Sequence, residues 1–254
     1  MSDIVFEKRG EIAFIRINRP DALNTFTKPM FDDLANAKQQ FLDDPALKVG
    51  VISGEGRRAF SAGIDLKAWS ADLESGGSRK IPHPLQVEMA TGSEFCEKPL
   101  IAAIRGYCIG EGMHLALACD FRVCASDAVF ALPEVGLGIV QTWLSWQTVR
   151  TMGLPAAMEL CLLAEKKDAA WALSRQLVHE VTLPGDEVAA AERIAKRLCE
   201  VNFAAVVASK KTLYKSADLN YRELLDYAMP LRAAVLDTGA DRTQTHAFVN
   251  KHRG

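Results

Sequence analysis

The stretch that decides the fold runs KPLIAAIRGYCIGEGMHLALACDFRVCASDAVFALPEVGLGI, residues 98–139. Leu100–Ile104 is a short apolar run ending at Arg105-Gly106, the pattern of a strand buried on both faces. A helix is expected to begin near Glu111 and run through Ala118. Strands over Phe121–Ala125 and Val129–Leu132 follow. The same order of strand, glycine-rich turn and chemistry-bearing residues occurs three times: at Gly54–Lys67, at Gly106–His114 and at Phe130–Gly138.

Working toward the N-terminus, Ile4–Lys8 and Glu11–Asn18 read as strands, the second alternating around Ile12, Phe14 and Arg16. NRPDALNTFT (18–27) marks a turn, with Thr27 as helix N-cap and Pro29 in the first turn. Phe31, Leu34, Ala37 and Phe41 then recur at helical spacing, predicting an amphipathic helix over Pro29–Leu42. Val49–Ile52, bounded by Gly54 and Gly56, reads as another buried strand. Toward the C-terminus, the chain from Gln141 onward is nearly all helix, punctuated at Gly153-Leu154-Pro155 and Pro184-Gly185. Strands alternating with helices imply an α/β layered domain, with the last third as helical packing material. Ala71–Pro84 (ADLESGGSRKIPHP) is polar and too long for a simple connection. It reads either as a solvated insertion or as a mobile lid over a substrate.

Composition narrows the classes of function. Of 254 residues, 49% are hydrophobic and 24% charged, enough to bury a sizeable core. A formal net charge of −2 argues against nucleic-acid and membrane-surface partners, which leave a basic excess. Charges break every apolar run of the N-terminal segment, so neither a secretory leader nor a membrane helix of roughly 18 apolar residues is expected. The six cysteines, Cys96, Cys108, Cys119, Cys124, Cys161 and Cys199, lack CxxC or CxxH spacing. They read as reduced, buried thiols in a cytoplasmic protein, with no metal site.

Glycine lets backbone approach a ligand closely and adopt positive φ. A helix that starts just after such a turn aims N–H groups and the positive end of its dipole at whatever lies there. Two such N–H groups brought together would make an oxyanion hole. The pattern alone leaves ordinary turns and a binding site both open, because glycine turns before helices are common.

Four motifs, in order along the chain, narrow this. NRPDALNTF (18–26), FSAGIDLK (60–67), the block at 98–139 and the terminal AFVNKHR resemble the enoyl-CoA hydratase/isomerase (crotonase) family. The resemblance implies repeated ββα units over residues 1–195 and a C-terminal helical oligomerisation region over 196–254. It also implies a homotrimer or dimer of trimers. The substrate would be an acyl-CoA thioester, with no other cofactor. The N–H groups of Ile64 and Glu111 would form the oxyanion hole. Backbone around Ala22, Leu23, Ala62, Asp65 and Leu66 would grip the CoA, and Phe248 and Lys251 would reach its nucleotide. For these last two, a helix-face hydrophobe and a solvated lysine are the competing readings. Lys67 reads as a solvated charge rather than a phosphate ligand.

The resemblance makes Glu134 the carboxylate that transfers the Cα proton, against an ordinary helix-start acid. At the position where hydratases carry a second glutamate this chain has His114, open to a catalytic, substrate-orienting or core role. Glu111 could supply the second carboxylate, or hydrogen-bond His114 one turn on, or face solvent. A further departure is Gln141-Thr142-Trp143-Leu144-Ser145-Trp146, where relatives carry a glycine-rich run. Its tryptophans, with Trp69, would reshape an acyl pocket or, for Trp146 in particular, anchor the core or a subunit contact. The expected reaction is hydration of a 2-enoyl-CoA, or the reverse, through a thioester enolate. Isomerisation or hydratase-coupled cleavage by Glu134 alone, and a non-catalytic CoA-binding scaffold, are the alternatives.

Overall fold

In the computed structural model, which describes residues 2–76 and 96–239, strands β1 (Ile4–Arg9) and β2 (Ile12–Ile17) pair antiparallel and begin the larger of two sheets. That sheet continues, all parallel, through β3 (Val49–Gly54), β5 (Leu100–Ile104), β7 (Phe121–Ala125) and β10 (Glu180–Thr182), in the order β1-β2-β3-β5-β7-β10. The smaller sheet has the order β4-β6-β8-β9: β4 (Ala59–Ser61), β6 (Tyr107–Ile109) and β8 (Val129–Ala131) run parallel, and β9 (Lys167–Asp168) closes antiparallel. Each consecutive pair, β3/β4, β5/β6 and β7/β8, places its first strand in the large sheet and its second in the small one. Helical structure follows each pair: α2 (Leu66–Glu74), α3 (Glu111–Ala118), and a 3₁₀ turn (Glu134–Leu137) leading into α4 (Trp143–Leu163), which is broken at Gly153. The expected ββα repeat is this pattern.

The large sheet is buried on both faces, and period-two alternation sorts its side chains. Ile12, Phe14, Val49, Val51, Ile101 and Ala103 face a cluster closed by Ala191 and Ala195 of α6 (Glu187–Glu200), which follows the short helix α5 (Ala169–Ser174). Ile15, Ile17, Ile52, Leu100, Ala102 and Ile104 face the main core, filled by α1 (Lys28–Asp43) and α3. Thr27 is the N-cap of α1 in extended conformation and Pro29 stands in its first turn. The division expected at 195/196 falls inside α6. Beyond it, α7 (Phe203–Lys215) is tied to the sheet through Asp120: Lys210 Nζ donates to Asp120 Oδ2 at 2.7 Å and Tyr214 Oη to Oδ1 at 3.0 Å. Helix α8 (Tyr221–Asp237) buries no residue fully and packs on α7.

Two sequence expectations are corrected. Ala71–Glu74 continue α2, so only the remainder of the polar stretch could be loop, and its residues from 77 on lie outside the described chain. The chain after Gln141 is not purely helical, because β10 supplies the last strand of the large sheet. Five cysteines are buried and Cys199 is half-buried. Among the described residues no helix is long and apolar enough to cross a membrane.

Candidate active site

The three glycine-rich turns stand side by side because β4, β6 and β8 are neighbours in one parallel sheet, and all three chains leave it from the same end. On the outer side of the first turn, residues 22–26 run alongside 62–65. Ala62 N–H donates to Leu23 O at 3.0 Å, Phe26 N–H to Gly63 O at 2.8 Å, and Asp65 N–H to Phe26 O at 2.9 Å. Alternation in this parallel bridge turns the N–H of Ile64 away from residue 26. The opposite side is the one occupied by β6 and the start of α3.

Contact there is close. Gly63 has φ +99°, and a Cβ placed on it would lie 3.1 Å from Ile109 O and 3.5 Å from Glu111 N. Gly110, at φ +53° and ψ −114°, turns the chain into α3, and Glu111 is the first residue of that helix, before its internal ladder begins. At the next residue, Gly112 packs its Cα face directly on Ser61 O. The sequence places glycine at each point where one backbone must touch the next.

The third turn brings in the acid. Glu134 opens its 3₁₀ turn after Pro133, and its backbone O accepts from Ile139 N–H at 2.9 Å. Its Oε1 lies against Gly110, 3.3 Å from where a Cβ on that glycine would be. Oε2 accepts a hydrogen bond from Gln141 Nε2 at 2.9 Å. Burial raises the Glu134 pKa above the ordinary carboxylate value, the Gln141 bond and the residue's own backbone N–H pull against this, and the Glu111 carboxylate nearby raises it further. Glu134 thus stands against the junction of the other two turns and does not point into bulk solvent.

His114 is buried at 1% exposure, one helical turn behind Glu111, whose side chain is itself only 9% exposed. The imidazole Nδ1 lies 3.4 Å from Glu111 Oε2. Burial depresses the histidine pKa from 6.5 to about 3, so the contact is that of a neutral ring with a carboxylate and not of an ion pair. The solvent-facing reading of Glu111 is ruled out by the same burial.

The histidine has a consequence for stability. Between pH 6.5 and about 3 the unfolded chain binds a proton at this position that the folded chain refuses. Stability therefore rises with pH across that window, is fully present above 6.5, and is lost as pH falls toward 3. In His114→Leu the urea midpoint is expected to fall less between pH 6.5 and 4 than in the unsubstituted protein.

Ala22, Leu23, Ala62, Asp65 and Leu66, singled out for CoA, form one continuous rim along the paired segments 22–26 and 62–66. Leu23 and Asn24 take left-handed conformations, φ 54° and 55°. The wholly buried Asn24 pins this rim, its Nδ2 donating to Glu55 O and Ala59 O and its Oδ1 accepting from Arg19 N–H. Asp65 caps α2 through Ala68 N–H and pairs with Arg19 at 2.8 Å, and these contacts hold its pKa below the ordinary range. Leu66 is 58% exposed, Lys67 is exposed, and Phe248 and Lys251 lie outside the described residues. Trp69 is half-buried and lines a cavity of about 150 Å³ with Phe26, Lys28, Ile64 and Asp72. Lys28 Nζ sits 5.1 Å from its ring centroid and pairs with Asp72. Trp146 is no core anchor: it is 42% exposed, with the Arg150 guanidinium 4.1 Å from its ring centroid.

Sequence reading missed two side chains here. Lys28 stands in a helix start with no motif around it, and in sequence Gln141 is only a departure from a glycine-rich run. No spacing rule links Gln141 to Glu134, because the 3₁₀ turn between them sets their contact.

Comparison with known proteins gives the family. The family model for enoyl-CoA hydratase/isomerase matches residues 7–253. Crotonyl-CoA hydratase of Syntrophomonas wolfei is 34% identical, covering 91% of this chain and 87% of that protein. Carnitinyl-CoA dehydratase of Citrobacter koseri is 35% identical, covering 97% and 95% respectively. The crystal structure of an enoyl-CoA hydratase from Mycobacterium tuberculosis superposes with a TM-score of 0.85 at 30% identity, covering 98% of this chain and 96% of the other. A ββα-repeat sheet pair, three glycine turns meeting at one carboxylate, and a match over nearly the whole length lead to one conclusion: the chain belongs to the enoyl-CoA hydratase/isomerase family of enzymes.

Proposed function

We propose that this enzyme adds water to a 2-enoyl-CoA, and catalyses the reverse dehydration, through a thioester enolate. The observation that carries this reading is Glu134, a partly buried carboxyl with a raised pKa, set against the Gly110–Glu111 junction beside a second carboxylate. The N–H groups of Ile64 and Glu111 would receive the thioester oxygen, and the rim at 22–26 and 62–66 the CoA. Water attacks Cβ, the carbon–carbon π pair moves to Cα, and negative charge collects on the thioester oxygen. Fixed donors stabilise that charge more than the neutral ground state, by roughly 3–4 kcal/mol for one donor. Water's proton passes to the Glu111 carboxylate, and protonated Glu134 delivers a proton to Cα. In this reading the two carboxyl groups divide the work, Glu111 as base toward water and Glu134 as acid at Cα. Neutral His114 orients the Glu111 carboxylate through Nδ1 and does not itself exchange a proton.

Exposed apolar side chains run from the 3₁₀ turn onto α4, among them Leu137, Ile139, Val140, Leu154 and Met158. Such a patch fits burial between subunits, and a homotrimer or dimer of trimers working in the cytoplasm is part of the proposal. Light scattering of the purified protein tests the assembly.

Loss of enoyl-thioester absorbance from crotonyl-CoA tests the reaction. Turnover of a 3-enoyl-CoA with no hydration would replace it by isomerisation. Absence of both, and of deuterium exchange at Cα of a saturated acyl-CoA, with thermal stabilisation by CoA thioesters retained, would leave only binding.

A further inference from the structure

The two oxygens of Glu134 have different surroundings. Oε1 lies over Gly110, at the point where the second turn enters α3. Oε2 points the other way and receives Gln141 Nε2 at 2.9 Å. Gln141 is half-buried and lies between the 3₁₀ turn and α4. It is not a loose surface amide: Ser145 Oγ donates to its carbonyl at 2.7 Å, tying its backbone to the first turn of α4. Glu134 is fixed at its other end by Ile139 N–H on its own carbonyl. Glu134 is therefore anchored through its backbone, and the Gln141 bond holds its carboxyl group from the Oε2 side.

We propose that Gln141 is a positioning residue, whose amide N–H holds Oε2 so that Oε1 is the oxygen that exchanges the Cα proton. This rests on the hydration reading above. A neutral donor on Oε2 favours the ionised carboxyl while leaving Oε1 free of it. After the proton is delivered, the same bond stabilises the carboxylate that remains. In the reverse direction it keeps the base oriented toward Cα–H.

The test is Gln141→Met, which keeps side-chain length and removes the donor. With crotonyl-CoA, kcat is expected to fall about tenfold or more, because a carboxyl free to rotate is misplaced by an ångström-scale distance. KM should stay within about twofold. The limb of the pH–rate profile assigned to Glu134, by its absence in Glu134→Gln, should move upward by up to about one pH unit, the size of one neutral hydrogen bond. The ¹³C carboxyl titration of Glu134 in the free protein should move the same way. A merely structural glutamine would lower the melting temperature and leave both titrations in place, and that result overturns the proposal. If Gln141→Met does not fold, Gln141→Asn, whose amide falls one methylene short, gives the same readings. If the unsubstituted enzyme turns over no enoyl-CoA, the hydration reading fails. An unmoved carboxyl titration would overturn the Gln141 contact separately.

Discussion

Glu134→Gln is expected to lower turnover of an enoyl-CoA by at least about 10² while leaving the fold and CoA binding intact. The size follows from removing proton transfer at Cα and nothing else. Glutamine matches glutamate in volume, and its side-chain oxygen can still accept the 2.9 Å hydrogen bond that Gln141 gives to Oε2. The backbone bond from Ile139 N–H to residue 134 is untouched. Melting temperature should therefore hold or rise slightly, because burial penalises the charged form of Glu134 and the amide carries no charge. The pH dependence supplies an independent sign. If protonated Glu134 donates in the hydration direction, activity falls as pH rises through its raised pKa, and this limb disappears in the variant. In the dehydration direction the same group works ionised, so the limb lies on the acid side. Thermal shift with a CoA thioester, read beside kcat, separates lost chemistry from lost binding. A variant within threefold of the parent's kcat would remove Glu134 from the reaction.

How much of this was legible in the sequence depended on how locally each feature is encoded. Leu100–Ile104 and Phe121–Ala125 were found at their observed bounds because both lie in a sheet buried on both faces, where apolar runs are uninterrupted. β4 and β6 were not found as strands. Each is three residues long, and each sits in a glycine-rich turn whose composition signals loop. Helix α2 escaped for a related reason: Asp65 caps it, but its last residues, Ala71–Glu74, merge into a polar stretch that reads as connection. β10 pairs with β7 across more than fifty residues of chain, so only tertiary structure makes Glu180–Thr182 a strand.

The site divides in the same way. Glycines at 63, 110 and 112 and the acid at 134 are readable, because a backbone contact or a motif demands that residue type. The state of His114 is not readable. One histidine in an apolar helix could titrate near neutrality or be held neutral, and only its burial decides. The Gln141–Glu134 contact depends on how a 3₁₀ turn folds back, which no periodicity reports.

Gly112→Ala is expected to act on the site without touching any group that could exchange a proton. Gly112 lies in α3 with ordinary helical backbone, and alanine is a better helix former than glycine, so local propensity alone predicts stabilisation by about 1 kcal/mol. Packing reverses that sign. The new methyl carbon would stand 2.3 Å from Ser61 O and 2.9 Å from Ser61 Cβ. The first contact is backbone in β4, so no rotamer change relieves it, and α3 must move outward instead. Overpacking of this kind costs about 1–3 kcal/mol. Ser61 is two residues before Gly63 and three before Ile64, while Gly112 directly follows Glu111. The outward shift therefore opens the gap between the two N–H groups proposed to share one thioester oxygen. A loss of kcat of about 10² is expected for an ångström-scale separation, with Glu134 and its pH limb unchanged in position. Gly112→Ser should behave like alanine, since both carry the offending Cβ. Parental kcat in a folded Gly112→Ala enzyme would mean that the Glu111 N–H does not bear on the reaction.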